Sequence, residues 1–181
     1  MGSGSGAVCD IRLNTTLDES QRAKFQNPEV IRAILVPGRT VAMVGLSTDK
    51  TKPSNMVASY LLDEGFKVIP VHPSATSILG QKCFPDLKSI DVLVDVVDVF
   101  RPAGEVAKIS EDAIAIGAKT VWMQLRIIDL VSAEKLLAAG VNAVVDRCMK
   151  MEHGRYSGAL HFAGMNTEII TARRRRAGFL P

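Results

Sequence analysis

Apolar positions along the chain gather into short runs separated by stretches of helical spacing, an alternation that predicts an α/β protein. Val41, Ala42, Met43 and Val44 are apolar on both faces, as in a central parallel strand covered by helices. The same reasoning places strands over residues 67–72 (KVIPVH), 92–100 (VLVDVVDVF), 120–125 (TVWMQL) and 141–146. Pro70 has no N–H to donate, so it suits the end of its strand rather than the centre.

Helical spacing fills the intervals. Asn27 caps a helix over 28–35 with Pro28 at its first position and Val30, Ile31, Ile34 and Leu35 on one stripe. Pro53 and Ser54 open a second, with Met56, Val57, Tyr60 and Leu61, which Gly65 stops. Pro102 starts a third that carries Val106, Ile109, Ala113, Ile114 and Ile116 and closes at Gly117. Asp129 caps a fourth over 130–139, ended by Gly140. Residues 76–87 read as irregular, with a short extended piece over 81–84, and beyond Arg147 the pattern dissolves. The expected architecture is a doubly wound parallel sheet of about five strands, with N- and C-terminal extensions. It divides into a partly ordered arm over 1–26, flexible at its MGSGSG start, a domain over 27–155, and a basic C-terminal extension over 156–181 with a short helix.

Composition narrows this picture. A chain of 181 residues with 47% hydrophobic and 23% charged positions suits one domain of roughly 150 residues with appendages. No apolar stretch nears the roughly 18 residues of a membrane span, and no secretory signal is legible, so the expected compartment is the cytoplasm. The formal net charge of +3 is a tail effect: Arg173 to Arg176 supply four positives and leave the rest close to neutral. That argues against a broad nucleic-acid face. Cys9, Cys83 and Cys148 are odd in number and lack any CxxC spacing, which favours idle thiols over a disulfide framework or a zinc site. Trp122 reads as core.

Candidate chemistry sits at the strand ends, where doubly wound sheets bind ligands. These ends bring Gly45, Leu46 and Ser47, then His72 and Pro73, then Val97, Asp98 and Arg101, then Gln124. Gly45 permits a tight turn and a close approach; Lys50 and Lys52 follow it, and the helix from Ser54 would turn free N–H groups toward an anion. The loop lacks the second glycine of a P-loop. It also lacks GxGxxG, and the second strand ends in His72 rather than in a ribose-binding carboxylate; Asp63 and Glu64 come too early for that job. His72 has no nucleophile or carboxylate partner in the pattern and reads as pocket wall. Asp95 and Asp98, three apart on a strand, would face opposite ways, which disfavours paired-carboxylate chemistry. Cys148, Glu152 and His153 are too few to support a metal site. What remains is a pocket for a ligand with more than one phosphate group.

In their order, VAMVGLS, the Lys-Pro-Ser before the second helix, VIPVHP, ILG, VDVVDVFRP, AIAIGAKTVWMQL and VVDRCMKMEHGR resemble the small stand-alone CoA-binding proteins. These are related to the nucleotide-binding domain of the succinyl-CoA synthetase alpha subunit. The resemblance spans about residues 37–155 and implies a Rossmann-like fold that binds coenzyme A or an acyl-CoA. It further implies that Gly45, Leu46 and Ser47 wrap the diphosphate, Lys50, Lys52 and Ser54 serve the phosphates, and His72 and Pro73 flank the adenosine. Val97, Asp98 and Arg101 would line the opposite wall and Gln124 the pantetheine arm. Where the family reads Gln-Leu-Gly, this chain has Gln124-Leu125-Arg126, and Asn55 and Met56 replace an aromatic and a basic residue. The expected role is a non-catalytic accessory, carrier or sensor, acting as monomer or homodimer, because the chain is too short to include a synthetase's further domains. A nicotinamide-dependent oxidoreductase and a CoA-ligase-like subunit active only with a partner chain are the alternatives.

Overall fold

The computed structural model describes residues 16–157. Its elements are α1 (Glu19–Phe25), α2 (Pro28–Ile34), β1 (Thr40–Val44), α3 (Pro53–Asp63), β2 (Lys67–Val71), β3 (Ser77–Ile78) and β4 (Gln81–Lys82). They continue with β5 (Val96–Val99), α4 (Ala103–Ala115), β6 (Thr120–Met123), α5 (Leu130–Ala138), β7 (Asn142–Val144) and α6 (Met149–Ser157). Five strands form one sheet in the order β2-β1-β5-β6-β7, with every pairing parallel.

The sheet is buried on both faces, as its uninterrupted apolar runs require. Val97, Val99, Val121 and Met123 point to a core shared with Val106, Ile109 and Ala113 of α4 and Ala133 and Leu136 of α5. Val41, Met43, Val96, Trp122 and Val144 point the other way, to Ile31 and Ile34 of α2, Val57 and Leu61 of α3, and Met149. Trp122 is core, and its indole Nε1 donates to the Arg147 carbonyl at 2.6 Å. Asn27 caps α2 through Glu29 N and Val30 N, and Asp129 caps α5 through Ser132 N.

Four stretches differ in detail from their sequence pattern. Residues 92–95 precede β5 rather than join it: β1 pairs with β5 only over Val41 to Val44, so Val92 and Leu93 outrun the sheet and are exposed. Pro70 lies within β2, opposite Met43, and β2 tolerates it because it is the sheet's edge strand. The stretch expected as irregular carries the β3-β4 hairpin, turned by Leu79 and Gly80 at φ 53° and 75°. Beyond Arg147 the chain forms α6. An apolar stripe does not announce it because two of the side chains it buries are Glu152 and His153. His153 Nδ1 lies 2.9 Å from the Tyr60 hydroxyl, and its ring meets Phe66 edge-on at 5.2 Å, which docks α6 on α3. Burial holds this imidazole below the usual histidine range.

The end of the N-terminal arm is tied into the core. Asp18 and Gln21 form a capping box at the start of α1, and Phe25 is 2% exposed in the cluster beneath α4 and α5. Gln26 Nε2 donates to the Val145 carbonyl at 2.9 Å while its Oε1 accepts from Arg147 Nη2 at 2.7 Å. Phe25→Ala should therefore cost about 3–5 kcal/mol in urea unfolding. A loss under about 1 kcal/mol would mean that α1 contributes nothing to the core.

Candidate functional site

Strand order reverses at β1, whose neighbours are β2 on one side and β5 on the other, so the crevice beyond the carboxyl ends of β1 and β5 is the ligand position of such a sheet. Gly45 makes this corner. Its φ is +87°, and a Cβ there would stand 2.7 Å from Arg101 Cδ and 2.9 Å from the Phe100 carbonyl oxygen. Only glycine meets both demands. Leu46 then turns wholly into the core and anchors the loop from below.

The loop is held by side chains of α3. Ser47 N donates to Ser54 Oγ at 3.1 Å, and Asn55 Nδ2 donates to the Ser47 carbonyl at 2.9 Å. Ser47 Oγ accepts from Asp49 N at 3.1 Å, and Asp49 Oδ1 accepts from Thr51 N at 2.8 Å and Thr51 Oγ1 at 2.7 Å. The Ser47 hydroxyl is thus engaged in a local turn. Lys52 is the N-cap of α3 and no side chain caps the helix; Pro53 has no N–H, and Asn55 N and Met56 N donate to the Lys52 carbonyl at 3.1 Å each, which leaves Ser54 N as the donor of the first turn. Lys50 and Lys52 are exposed beside it, and neither has an ion-pair partner among the described residues.

The other strand ends contribute unequally. His72 is half-buried, and its Nδ1 accepts from Ser74 N at 3.2 Å and Ala75 N at 3.0 Å, which leaves the ring proton on Nε2 and makes the side chain a fixed wall. Pro73 beside it is exposed. Arg101 lays its aliphatic stem over Gly45 and gives its guanidinium to Glu105, with bonds of 2.9 and 2.8 Å. Val97 belongs to the core on the α4 and α5 side and does not reach the crevice.

Asp98 and Gln124 form a buried polar pair on the opposite face. Gln124 Nε2 donates to Asp98 Oδ1 at 2.8 Å, while Asp98 Oδ2 is buried without a partner among the described residues. Burial pushes the Asp98 carboxyl up to about 7, the Gln124 amide opposing it. Asp95, by contrast, sits at the amino edge, where it accepts from Lys119 Nζ at 2.7 Å, Thr40 N at 3.0 Å and Arg39 Nη1 at 3.3 Å. A cavity of about 240 Å³ opens beside that network, between Val30, Ile34, Arg39, Lys119 and Asn142. Its charged groups are paired with one another rather than presented to a ligand.

Three participants escape sequence reasoning. Asn55 clamps the loop where the resembled family has another residue type. Arg126 has a left-handed backbone, at φ +65°, and its N–H donates to Asp146 Oδ1 at 2.7 Å. Cys148 is half-buried at the start of α6, and burial pushes its thiol up, with the Asp98 carboxylate adding to the effect. Cys148, Glu152 and His153 do not assemble into a metal centre: among the described residues no group of three or more His, Cys, Asp or Glu side chains is placed to hold an ion. No described helix is long and apolar enough to cross a membrane.

Gly45→Ala should lose about 2–4 kcal/mol in chemical unfolding, from left-handed strain plus the contact with Arg101 and Phe100; a loss under about 0.5 kcal/mol would show that the corner relaxes freely. Asp98→Asn tests the buried carboxyl. A folded-state value near 7 against the ordinary 3.8 means that the folded form gains from protonation below 3.8 and loses that gain as pH rises through about 7. The variant's melting temperature should therefore rise relative to the parent between pH 5 and 8, and a constant difference across that window would contradict a buried, uncompensated carboxylate.

At this corner Gly45 admits the close approach of Arg101 and Phe100, and the loop after it carries Lys50 and Lys52, exposed and without an ion-pair partner among the described residues, into the start of α3. A family model described as a CoA binding domain matches residues 39–154. An uncharacterised Bacillus subtilis protein, YneT, is 32% identical over 131 residues, which cover 71% of this chain and 97% of that protein. The ADP-forming acetate–CoA ligase II of Archaeoglobus fulgidus is 31% identical over 114 residues, 62% of this chain and only 16% of the ligase. A solved structure of a hypothetical protein from Pyrococcus horikoshii has a TM-score of 0.71 and 35% identity, over 77% of this chain and 98% of that one. The parallel sheet, the crevice at its strand-order reversal and these matches agree, and the chain belongs to the CoA-binding domain family.

Proposed function

We propose that the chain holds coenzyme A or an acyl-CoA across the β1-β5 crevice and acts as a carrier or sensor of the thioester, without ligase chemistry of its own. One observation carries the reading: the loop from the Gly45 turn to the start of α3 carries Lys50 and Lys52, both exposed and without an ion-pair partner among the described residues, and α3 begins without a side-chain cap. These groups suit a diphosphate with a further phosphate nearby. Gly45 and Leu46 shape the cradle, and Ser47 and Ser54, whose Oγ atoms accept backbone N–H bonds, keep their O–H groups to donate to a phosphate. His72 and Pro73 suit the adenosine side. Arg101 suits a further phosphate if it exchanges Glu105 for it. Gln124 and Asp98 lie toward the pantetheine side, and Val97 supports them from the core.

A nicotinamide cofactor suits the site less well, because β2 ends in His72 where the ribose hydroxyls would need a carboxylate. The second reading is a subunit that supports acyl-CoA ligation with a partner chain, favoured by the shared segment of the Archaeoglobus ligase. Pull-down from the source cell separates it from the first by whether a ligase-type partner is recovered.

Calorimetry of CoA binding to the parent and to the Lys50→Glu, Lys52→Glu double variant is the direct test. Loss of two charge-assisted contacts should weaken affinity at least about tenfold. Stability should move by under about 0.5 kcal/mol, since both side chains are exposed. Unchanged affinity in a folded double variant would remove the phosphate from this loop.

A further inference from the structure

We infer that Cys148 is a covalent attachment site for the sulfur end of coenzyme A, through a mixed disulfide formed by exchange with CoA disulfide. The inference rests on the crevice reading above. It starts from two helices. α3 and α6 both begin at the carboxyl edge of the sheet, on the same face, and are packed together through Tyr60 and His153. The start of α3 faces the phosphate corner, and Cys148 stands at the start of α6, its carbonyl accepting from Glu152 N at 2.9 Å. β5 lies between β1 and β6, so with strands spaced about 4.8 Å apart the phosphate corner and the β6-β7 edge are roughly 10–15 Å apart. An extended pantetheine arm covers that span and ends in a thiol.

A second observation points to the same path. Asp98 is on β5 between the two helix starts, it shares the face of Val96 and Trp122, and it is 0% exposed with Oδ2 unpartnered among the described residues. A buried acceptor left without a donor costs about 1–3 kcal/mol. Pantetheine carries two amide N–H groups, which are donors of the kind that Oδ2 lacks. Cys83, the other free thiol among the described residues, is buried in the hydrophobic cluster of α2 and α3 and has no such neighbour.

The chemistry balances without an external oxidant beyond CoA disulfide itself. Cys148 gives its proton to solvent, and its sulfur attacks one sulfur of the disulfide. That S–S bond breaks as the Cys148–CoA bond forms, and the departing CoA thiolate takes a proton from solvent. Burial, with the Asp98 charge, pushes the Cys148 thiol up, and the backbone N–H groups of Met151 and Lys150 offset this in part. The reaction is therefore slow for an arbitrary disulfide and gains from a ligand held in place.

The test incubates the reduced full-length chain with CoA disulfide or with glutathione disulfide, followed by non-reducing intact mass and peptide mapping. One CoA adduct per chain is expected on Cys148, formed at least about tenfold faster than the glutathione adduct, suppressed by desulfo-CoA and absent in Cys148→Ser. Equal rates with the two disulfides, or an adduct on Cys9 or Cys83 instead, would overturn the assignment. Calorimetry with CoA on the same preparation distinguishes the levels of failure: binding without an adduct overturns this inference alone, and no binding overturns the crevice reading beneath it.

Discussion

The close approach of Gly45 to the Phe100 carbonyl and the Arg101 stem is the constraint on which the carboxyl edge depends. β1 is flanked by a strand on each side, so the chain leaving it must turn within the width of one strand spacing. A left-handed glycine achieves this, Leu46 is driven straight into the core, and Ser47 is left at the surface for Ser54 and Asn55 to hold. The positions of the helix start and of the lysines before it follow from that one turn. A side chain at position 45 would meet the Phe100 carbonyl and the Arg101 stem and push β5's exit away from β1.

Much of this was legible in the residues because a parallel sheet covered on both sides writes itself as continuous apolar runs. Helix caps at Asn27 and Asp129 were equally readable, since side-chain oxygens at those positions satisfy N–H groups that nothing else reaches. α6 was hidden for the converse reason. It buries Glu152 and His153, whose burial is compensated by Arg147 and Arg155 and by Tyr60, partners that no local pattern reveals. Val92 and Leu93 misled in the other direction, being apolar yet exposed, because strand length is set by the neighbours available for pairing and not by hydrophobicity.

The strand-end rule located the candidate site by position, but not by direction. Adjacent residues of a strand face opposite layers, so Val97 and Asp98 could not both line one crevice: Val97 joins the α4 and α5 core while Asp98 joins Gln124 on the other face. Ser47 shows a different limit. Its Oγ accepts from Asp49 N, a turn contact that the sequence does not announce, and the O–H still has its proton to donate. Arg126 shows a third limit: a left-handed backbone at a residue other than glycine, held by the bond to Asp146, has no signature in residue type.

Asp98 is the position at which stability and use part company. A carboxyl at the centre of a parallel sheet, satisfied on one oxygen only, is less stable there than an apolar side chain of the same volume would be. Its neighbours Val96, Val97 and Val99 show that the sheet accepts valine on either side of it. The excess cost has a location: it falls on β5, on the face shared with Val96 and Trp122, between the strands that lead into α3 and α6. A carboxyl pushed up to about 7 by burial accepts a hydrogen bond when ionised and donates one when protonated, so the same burial that weakens the fold moves this group's change of charge into the neutral pH range.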